Sequence, residues 1–136
     1  MSESDAEVFN DSFERCLSRP GMLERFYELY LASSDEVRAK FARTDMKRQA
    51  GMLKASLFML LSVAGECPLP DAVAHLDRIA ERHDRHHVNV EPHLYDLWLD
   101  CLVRAVREFD PRFDGRVEAA WRRVLGHGIA IMKASY

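Results

Sequence analysis

Apolar residues recur along the chain at the spacing of one helix face, with polar residues between them. Near the N-terminus, Phe9, Phe13 and Cys16 follow one another at intervals of four and three residues, which places them on one side of an α-helix. Proline, glycine and short polar runs separate this segment from others of the same kind. The predicted helices span residues 5–18, 22–32, 37–41, 47–65, 70–83, 92–109 and 117–131. The pattern therefore predicts an all-α fold of about seven helices without a strand.

Composition narrows the class of protein. The 136 residues suit one domain over 1–136, and no linker, repeat or low-complexity stretch divides them. A formal net charge of −3 disfavours a nucleic-acid partner. No apolar run approaches the roughly 20 residues of a membrane span, and the acidic N-terminus is unlike a signal peptide. Cys16, Cys67 and Cys101 are odd in number and widely spaced, which favours reduced thiols over disulfides or a zinc site. We expect a cytoplasmic protein that engages neither membrane nor nucleic acid.

His83 is the strongest candidate for a functional residue. It ends the fifth predicted helix on the same face as Val73, Leu76 and Ala80, and a loop follows it. A histidine there can offer Nε2 to a ligand in the core, while Nδ1–H donates to a carbonyl one turn earlier, near Ile79. Taken alone, a histidine on an apolar face is more often a hydrogen-bonded core residue.

The residues around His83 belong to a longer pattern. After His83 come a loop with an aliphatic residue and then Pro92-x-x-Tyr95, which opens the next helix. The other elements, in chain order, are Phe26-Tyr27, Phe41, Asp45-Met46-Lys47-Arg48-Gln49 and Glu118-Ala119-Ala120-Trp121. In order and spacing, over residues 5–134, they resemble bacterial single-domain globins, which are related to the globin domain of flavohaemoglobins.

The resemblance implies a globin fold around one haem b. The chain lacks the C-x-x-C-H signature of c-type haem, so the haem would be held non-covalently. By the resemblance, His83 is the iron ligand, Tyr27 directs its hydroxyl at O₂ on the distal side, Phe41 packs flat on the porphyrin and Tyr95 lies near His83. The remaining residues expected at the cofactor are Leu53, Leu57, Arg82, His87 and Val90. Of these, Arg82 and His87 are candidates for the haem propionates, as are Arg85 and Lys54.

The loop after His83 departs from the flavohaemoglobin pattern. It is two residues longer and contains His86 and His87. Helical phase favours His83 as the ligand, with His86 as the second choice. A non-haem metal site built from these three histidines, with Glu81 or Asp84, is a separate alternative.

The distal helix also departs from the family pattern. Leu53, or Met52 one position earlier, stands where many relatives carry a glutamine. Gln49 and Lys54 are the nearest polar residues. The pocket is therefore expected to rely on Tyr27, with Gln49 and Lys54 left as the further polar candidates.

The resemblance implies reversible binding of O₂, and of NO and CO, in O₂ binding, transport or sensing. An alternative is NO dioxygenation or related redox activity fed by a separate reductase, since no reductase domain follows the globin segment. No acidic residue follows Glu118, so the proximal His-Tyr-Glu network of flavohaemoglobins is not expected. A haem-free sensory or interaction module is a lesser alternative. Either a monomer or a homodimer fits the sequence.

Overall fold

The computed structural model describes residues 4–63, 70–84 and 89–136, and all regular structure in these ranges is α-helical. The helices are α1 (Asp5–Leu17), α2 (Met22–Ser33), α3 (Asp35–Lys40), α4 (Met46–Val63), α5 (Pro70–His83), α6 (Pro92–Phe109) and α7 (Gly115–Ala134). The predicted all-α fold is confirmed, with helix ends within a few residues of those expected. None of the helices in the described ranges is long and apolar enough to cross a membrane.

Local chemistry sets several of the helix ends. The side chains of Ser4, Ser34 and Asp114 each accept a hydrogen bond from a backbone N–H three residues later, and so cap α1, α3 and α7. Pro92 occupies the first turn of α6, where a missing N–H costs nothing. Gly21 precedes α2 at a φ of 101°, a left-handed conformation that glycine adopts without strain. The predicted break between α1 and α2 therefore rests on this glycine.

The helices pack in pairs around one apolar core. α2 lies along α6 and α1 lies along α7, while α7 also contacts α4, α5 and α6. Large aromatic side chains fill the contact between α1 and α7. The rings of Phe9 and Trp121 are 4.4 Å apart at their centroids, and both residues are fully buried. This packing brings α2, α4, α5, α6 and α7 around a shared space.

Asp110, just after α6, is the centre of a buried polar network. Its carboxylate accepts hydrogen bonds from Ser12 Oγ at 2.6 Å, Arg15 Nε at 2.7 Å and the Arg112 N–H at 2.9 Å. Ser12 Oγ in turn accepts from Trp121 Nε1 at 2.9 Å. Burial acts to raise the pKa of Asp110, but these donors outweigh it and hold the pKa below its ordinary value. The network ties α1 and α7 to the connection between α6 and α7.

Candidate functional site

A cavity of about 460 Å³ lies among α2, α4, α5, α6 and α7. Its volume falls within the roughly 300–1,000 Å³ of small-molecule sites. Most of the wall is apolar. The lining residues with polar or charged groups include Tyr27, Tyr30, Gln49, Arg82, His83 and Tyr95. An apolar cavity with a few placed polar groups is the usual form of a cofactor site.

His83 lies at the end of α5 and lines the cavity. Its Nδ1 is 2.7 Å from the carbonyl oxygen of Ile79, one turn earlier, which confirms the predicted hydrogen bond. Because a carbonyl can only accept, Nδ1 carries the hydrogen, and Nε2 is left with its lone pair. Burial lowers the pKa of His83, the bond to Ile79 opposes this effect, and the neighbouring Arg82 charge adds to it. His83 is therefore a neutral imidazole with a fixed tautomer, the form that binds a metal ion.

Asn89 and Val90 are hydrogen-bonded back to the end of α5. The Asn89 N–H donates to the Asp84 backbone carbonyl at 2.8 Å, and the Val90 N–H donates to the His83 backbone carbonyl at 2.9 Å. Asn89 itself has a φ of 56°, a left-handed conformation that asparagine tolerates better than most residues. These bonds place Val90 in the cavity wall next to the end of α5.

Tyr27 and Gln49 supply polar groups to the part of the wall formed by α2 and α4. Tyr27 on α2 is 6% exposed, and burial raises the pKa of its hydroxyl to about 12, although hydrogen bonding to the Gln49 side chain opposes the shift. The hydroxyl therefore keeps its proton, and remains a donor, across the physiological range. Gln49 on α4 lines the cavity as well. Gln49 was one of the two further polar candidates that the sequence offered.

The helical phase of α4 separates Gln49 from Lys54. Gln49 and Leu53 lie one turn apart and both line the cavity, whereas Lys54 is exposed and does not. Met52 lines the cavity but is 51% exposed, so it lies towards solvent. The i, i+4 spacing puts Gln49 and Leu53 on one face of α4, and helix packing turns that face to the cavity.

Phe41 follows α3 and packs against two tyrosines of α2. Its ring centroid is 5.8 Å from that of Tyr27 and 6.3 Å from that of Tyr30. Tyr30 was not singled out from the sequence, yet it lines the cavity and donates its hydroxyl to the Leu94 carbonyl at 3.1 Å. This bond joins α2 to the first turn of α6, so the two walls are held at a fixed spacing.

Cationic and aromatic groups complete the site. Arg82 lines the cavity from an exposed position, as expected for the rim, and half-buried Lys40, which the sequence analysis missed, lines it too. Tyr95 lies in the wall with His83, and burial raises the pKa of its hydroxyl to about 12. The neighbouring Trp98 also lines the cavity.

Gly128 gives the cavity part of its shape on the α7 side. A Cβ at this position would lie 2.2 Å from Leu60 Cδ2, so only glycine lets α7 and α4 approach so closely without moving that side chain. Gly128 and Leu60 both line the cavity. The Leu60 side chain therefore packs directly against the α7 backbone in this part of the cavity wall.

One predicted site residue, Leu57, does not line the cavity. Leu57 is instead fully buried in the core. It lies eight residues past Gln49, so the helical repeat turns it by about 80° from that residue. His86 and His87, like Arg85, are outside the described residues. Among the residues described, His83 belongs to no group of three or more possible metal ligands.

Comparison with known proteins identifies the family. The globin family model matches residues 24–132. The chain belongs to the globin family. The crystal structure of protein PA3967 from Pseudomonas aeruginosa PAO1, described as structurally highly homologous to a human hemoglobin, superposes on this globin with a TM-score of 0.92. The two chains are 39% identical, and the match covers 98% of each. No curated protein shows significant sequence similarity to this globin.

Proposed function

We propose that this globin holds one haem b in the cavity, with His83 Nε2 as the protein ligand of the iron, and that it binds O₂ reversibly. The observation that carries the proposal is the His83 Nδ1 hydrogen bond to Ile79 at 2.7 Å, at the wall of a cavity that Tyr27 and Gln49 also line. A bound haem supplies an iron centre for small gases such as O₂, NO and CO. The protein supplies the iron ligand, sets the polarity of the pocket and controls the access of the gas to the iron.

His83 and its neighbours are suited to the proximal side. The carbonyl of Ile79 orients the imidazole, and its lowered pKa keeps it neutral at physiological pH. Arg82 and Lys40 line the same cavity, where their cations can pair with the haem propionates. Phe41 offers its ring to the porphyrin face, next to Tyr27.

Tyr27 and Gln49 are suited to the distal side. A diatomic ligand that takes up partial negative charge is stabilised by an O–H or N–H donor. The Tyr27 hydroxyl keeps its proton, and the surrounding wall is mainly apolar, which strengthens such a bond. Gln49 lines the same cavity and lowers the pKa of the Tyr27 hydroxyl, so its amide can act on that hydroxyl.

The partner of His83 Nδ1 favours reversible binding over redox turnover. Among the described residues, Nδ1 bonds to a backbone carbonyl and not to a carboxylate. A carboxylate partner would make the imidazole a stronger electron donor to the iron. NO dioxygenation fed by a separate reductase is therefore the second candidate.

Replacing Tyr27 with phenylalanine is expected to raise the O₂ dissociation rate about 10- to 100-fold. Loss of a hydrogen bond to a charged or partly charged acceptor costs about 1.5–3 kcal/mol, and about 1.4 kcal/mol is tenfold. Stopped-flow displacement of O₂ by CO measures the rate.

Tyr30→Phe is the matched control. It also removes one hydroxyl from a cavity tyrosine of α2, but that hydroxyl donates to the Leu94 carbonyl. Its O₂ dissociation rate should stay within about threefold of wild type. An unchanged rate in Tyr27→Phe, or an equal rise in both variants, would remove Tyr27 from the distal role.

The electrostatic effect of Gln49 on the Tyr27 hydroxyl predicts that their effects on O₂ dissociation are not additive. Gln49→Leu alone removes an amide that acts on the hydroxyl, whereas in the Tyr27→Phe background there is no hydroxyl for it to act on. A double-mutant cycle on the dissociation rate should therefore give a smaller effect of Gln49→Leu in the second background. Equal effects in both backgrounds would show that Gln49 acts independently.

A further inference from the structure

Glu36, Glu91 and His93 bring possible metal ligands together outside the cavity. Glu36 belongs to α3, Glu91 immediately precedes α6 and His93 is in the first turn of α6. One ligand atom from each residue lies within 4.8 Å of the other two. None of the three lines the cavity, so this cluster is distinct from the proposed haem site.

The distance between Glu36 and His93 is compatible with two ligands of one ion. His93 Nε2 is 3.3 Å from Glu36 Oε1, and His93 Nδ1 is 3.6 Å from Glu91 Oε2. Charge-assisted hydrogen bonds are shorter, at about 2.7–2.9 Å. In a tetrahedral zinc site with bonds of about 2.0–2.2 Å, neighbouring ligand atoms are about 3.3–3.6 Å apart. The 3.3 Å between Glu36 Oε1 and His93 Nε2 falls in this range, whereas Glu91 lies beside the other ring nitrogen.

We propose that Glu36, Glu91 and His93 bind one divalent transition-metal ion of the Zn²⁺ type. Carboxylate oxygens and a neutral imidazole nitrogen are ligands that this class of ion accepts. The two carboxylates carry two negative charges, which a divalent ion neutralises. Only one ring nitrogen binds the ion, so Glu91, whose side chain is 41% exposed, rotates to reach it. Water completes the coordination.

A metal ion at this position joins two segments that end in the cavity wall. α3 leads directly into Phe41, and Glu91 directly follows Val90, and both Phe41 and Val90 line the cavity. The bound ion cross-links these segments at the surface. We therefore expect Zn²⁺ to raise the thermal unfolding temperature of the wild-type chain, because an ion that binds the folded state alone stabilises it.

Isothermal titration calorimetry with Zn²⁺ tests the proposal, and it does not depend on haem binding. The wild-type chain should bind one Zn²⁺ through this cluster, and the affinity should fall more than tenfold in His93→Ala and in Glu36→Gln. His127→Ala, which removes another exposed histidine, is the matched control and should bind like wild type. Circular dichroism verifies that each variant is folded; all the replaced side chains are exposed.

Cobalt provides a second readout of the same site. Co²⁺ in a tetrahedral site gives intense visible absorption, which should be present in wild type and His127→Ala and absent in His93→Ala. Zn²⁺ affinity that is unchanged in both cluster variants would overturn the proposal, since the ion would then be held elsewhere. Absence of Zn²⁺ binding to the wild-type chain would overturn it as well.

Discussion

His83→Ala is expected to abolish the five-coordinate ferrous haem spectrum, and free imidazole is expected to restore it. The reason is that His83 presents a neutral imidazole with its Nδ1 fixed by Ile79, at a wall of the cavity. Alanine leaves space for imidazole, which can take the place of the lost side chain. Absorption spectra of the ferrous and ferrous-CO forms, with and without imidazole, measure the effect.

Two further variants separate the possible ligands. His75→Ala removes an exposed histidine from the same helix and should leave the spectrum unchanged. His86→Ala replaces the second-choice ligand, which lies outside the described residues. If His86→Ala abolishes the five-coordinate spectrum and His83→Ala retains it, then the assignment of His83 is wrong.

Asp110→Ala is expected to lower the free energy of unfolding by about 2–4 kcal/mol. The substitution removes the acceptor of Ser12, Arg15 and the Arg112 N–H, and leaves buried donors without a partner. Arg15 is 25% exposed and regains some hydration, so the upper end of the range for a broken buried ion pair is not expected. Urea unfolding at pH 7 measures the loss.

Asp96→Ala is the matched control for this prediction. Asp96 also forms an ion pair, with Lys133 at 2.7 Å, but its side chain is 65% exposed. Exposed pairs contribute about 0–1 kcal/mol, so this variant should unfold close to wild type. Equal losses in the two variants would show that burial of the Asp110 network is not what stabilises the fold.

The same network predicts a dependence on pH. The folded-state pKa of Asp110 lies below the ordinary value of about 3.9, so its contribution is fully present above that value. The contribution is lost as the pH falls through the folded-state pKa, because the carboxylate must then take up a proton. The difference in unfolding free energy between wild type and Asp110→Ala should therefore be constant from pH 7 to 5 and narrow towards pH 3. A difference that does not change over this range would contradict the assignment.

Local sequence chemistry predicted the helices and the setting of His83. The apolar repeat shows which face of each helix is buried, and capping residues such as Asp114 fix where helices begin. The bond between His83 and Ile79 follows from the four-residue spacing of one helical turn, and the structure confirms it. These features depend on residues close together in the chain, which is why they can be predicted without a structure.

Features that depend on how helices rotate and pack could not be predicted in the same way. Gln49 lies on the cavity side of α4 and Leu57 does not, although both belong to one helix. Their positions depend on how α4 turns against α2 and α7. The cluster of Glu36 with His93 joins residues 57 positions apart, and the hydroxyl of Tyr30 meets a backbone carbonyl on α6. A sequence pattern holds no local signal for such contacts.

Titration of ferric haem into the purified apoprotein tests the central claim most directly. The cavity and its His83 ligand predict that the chain takes up one haem per molecule, with a Soret band that grows linearly to one equivalent. Reduction and addition of CO should then shift that band as expected for a histidine-ligated haem. A chain that gives no saturable Soret change, or one whose ferrous-CO spectrum lacks histidine ligation, would contradict the account.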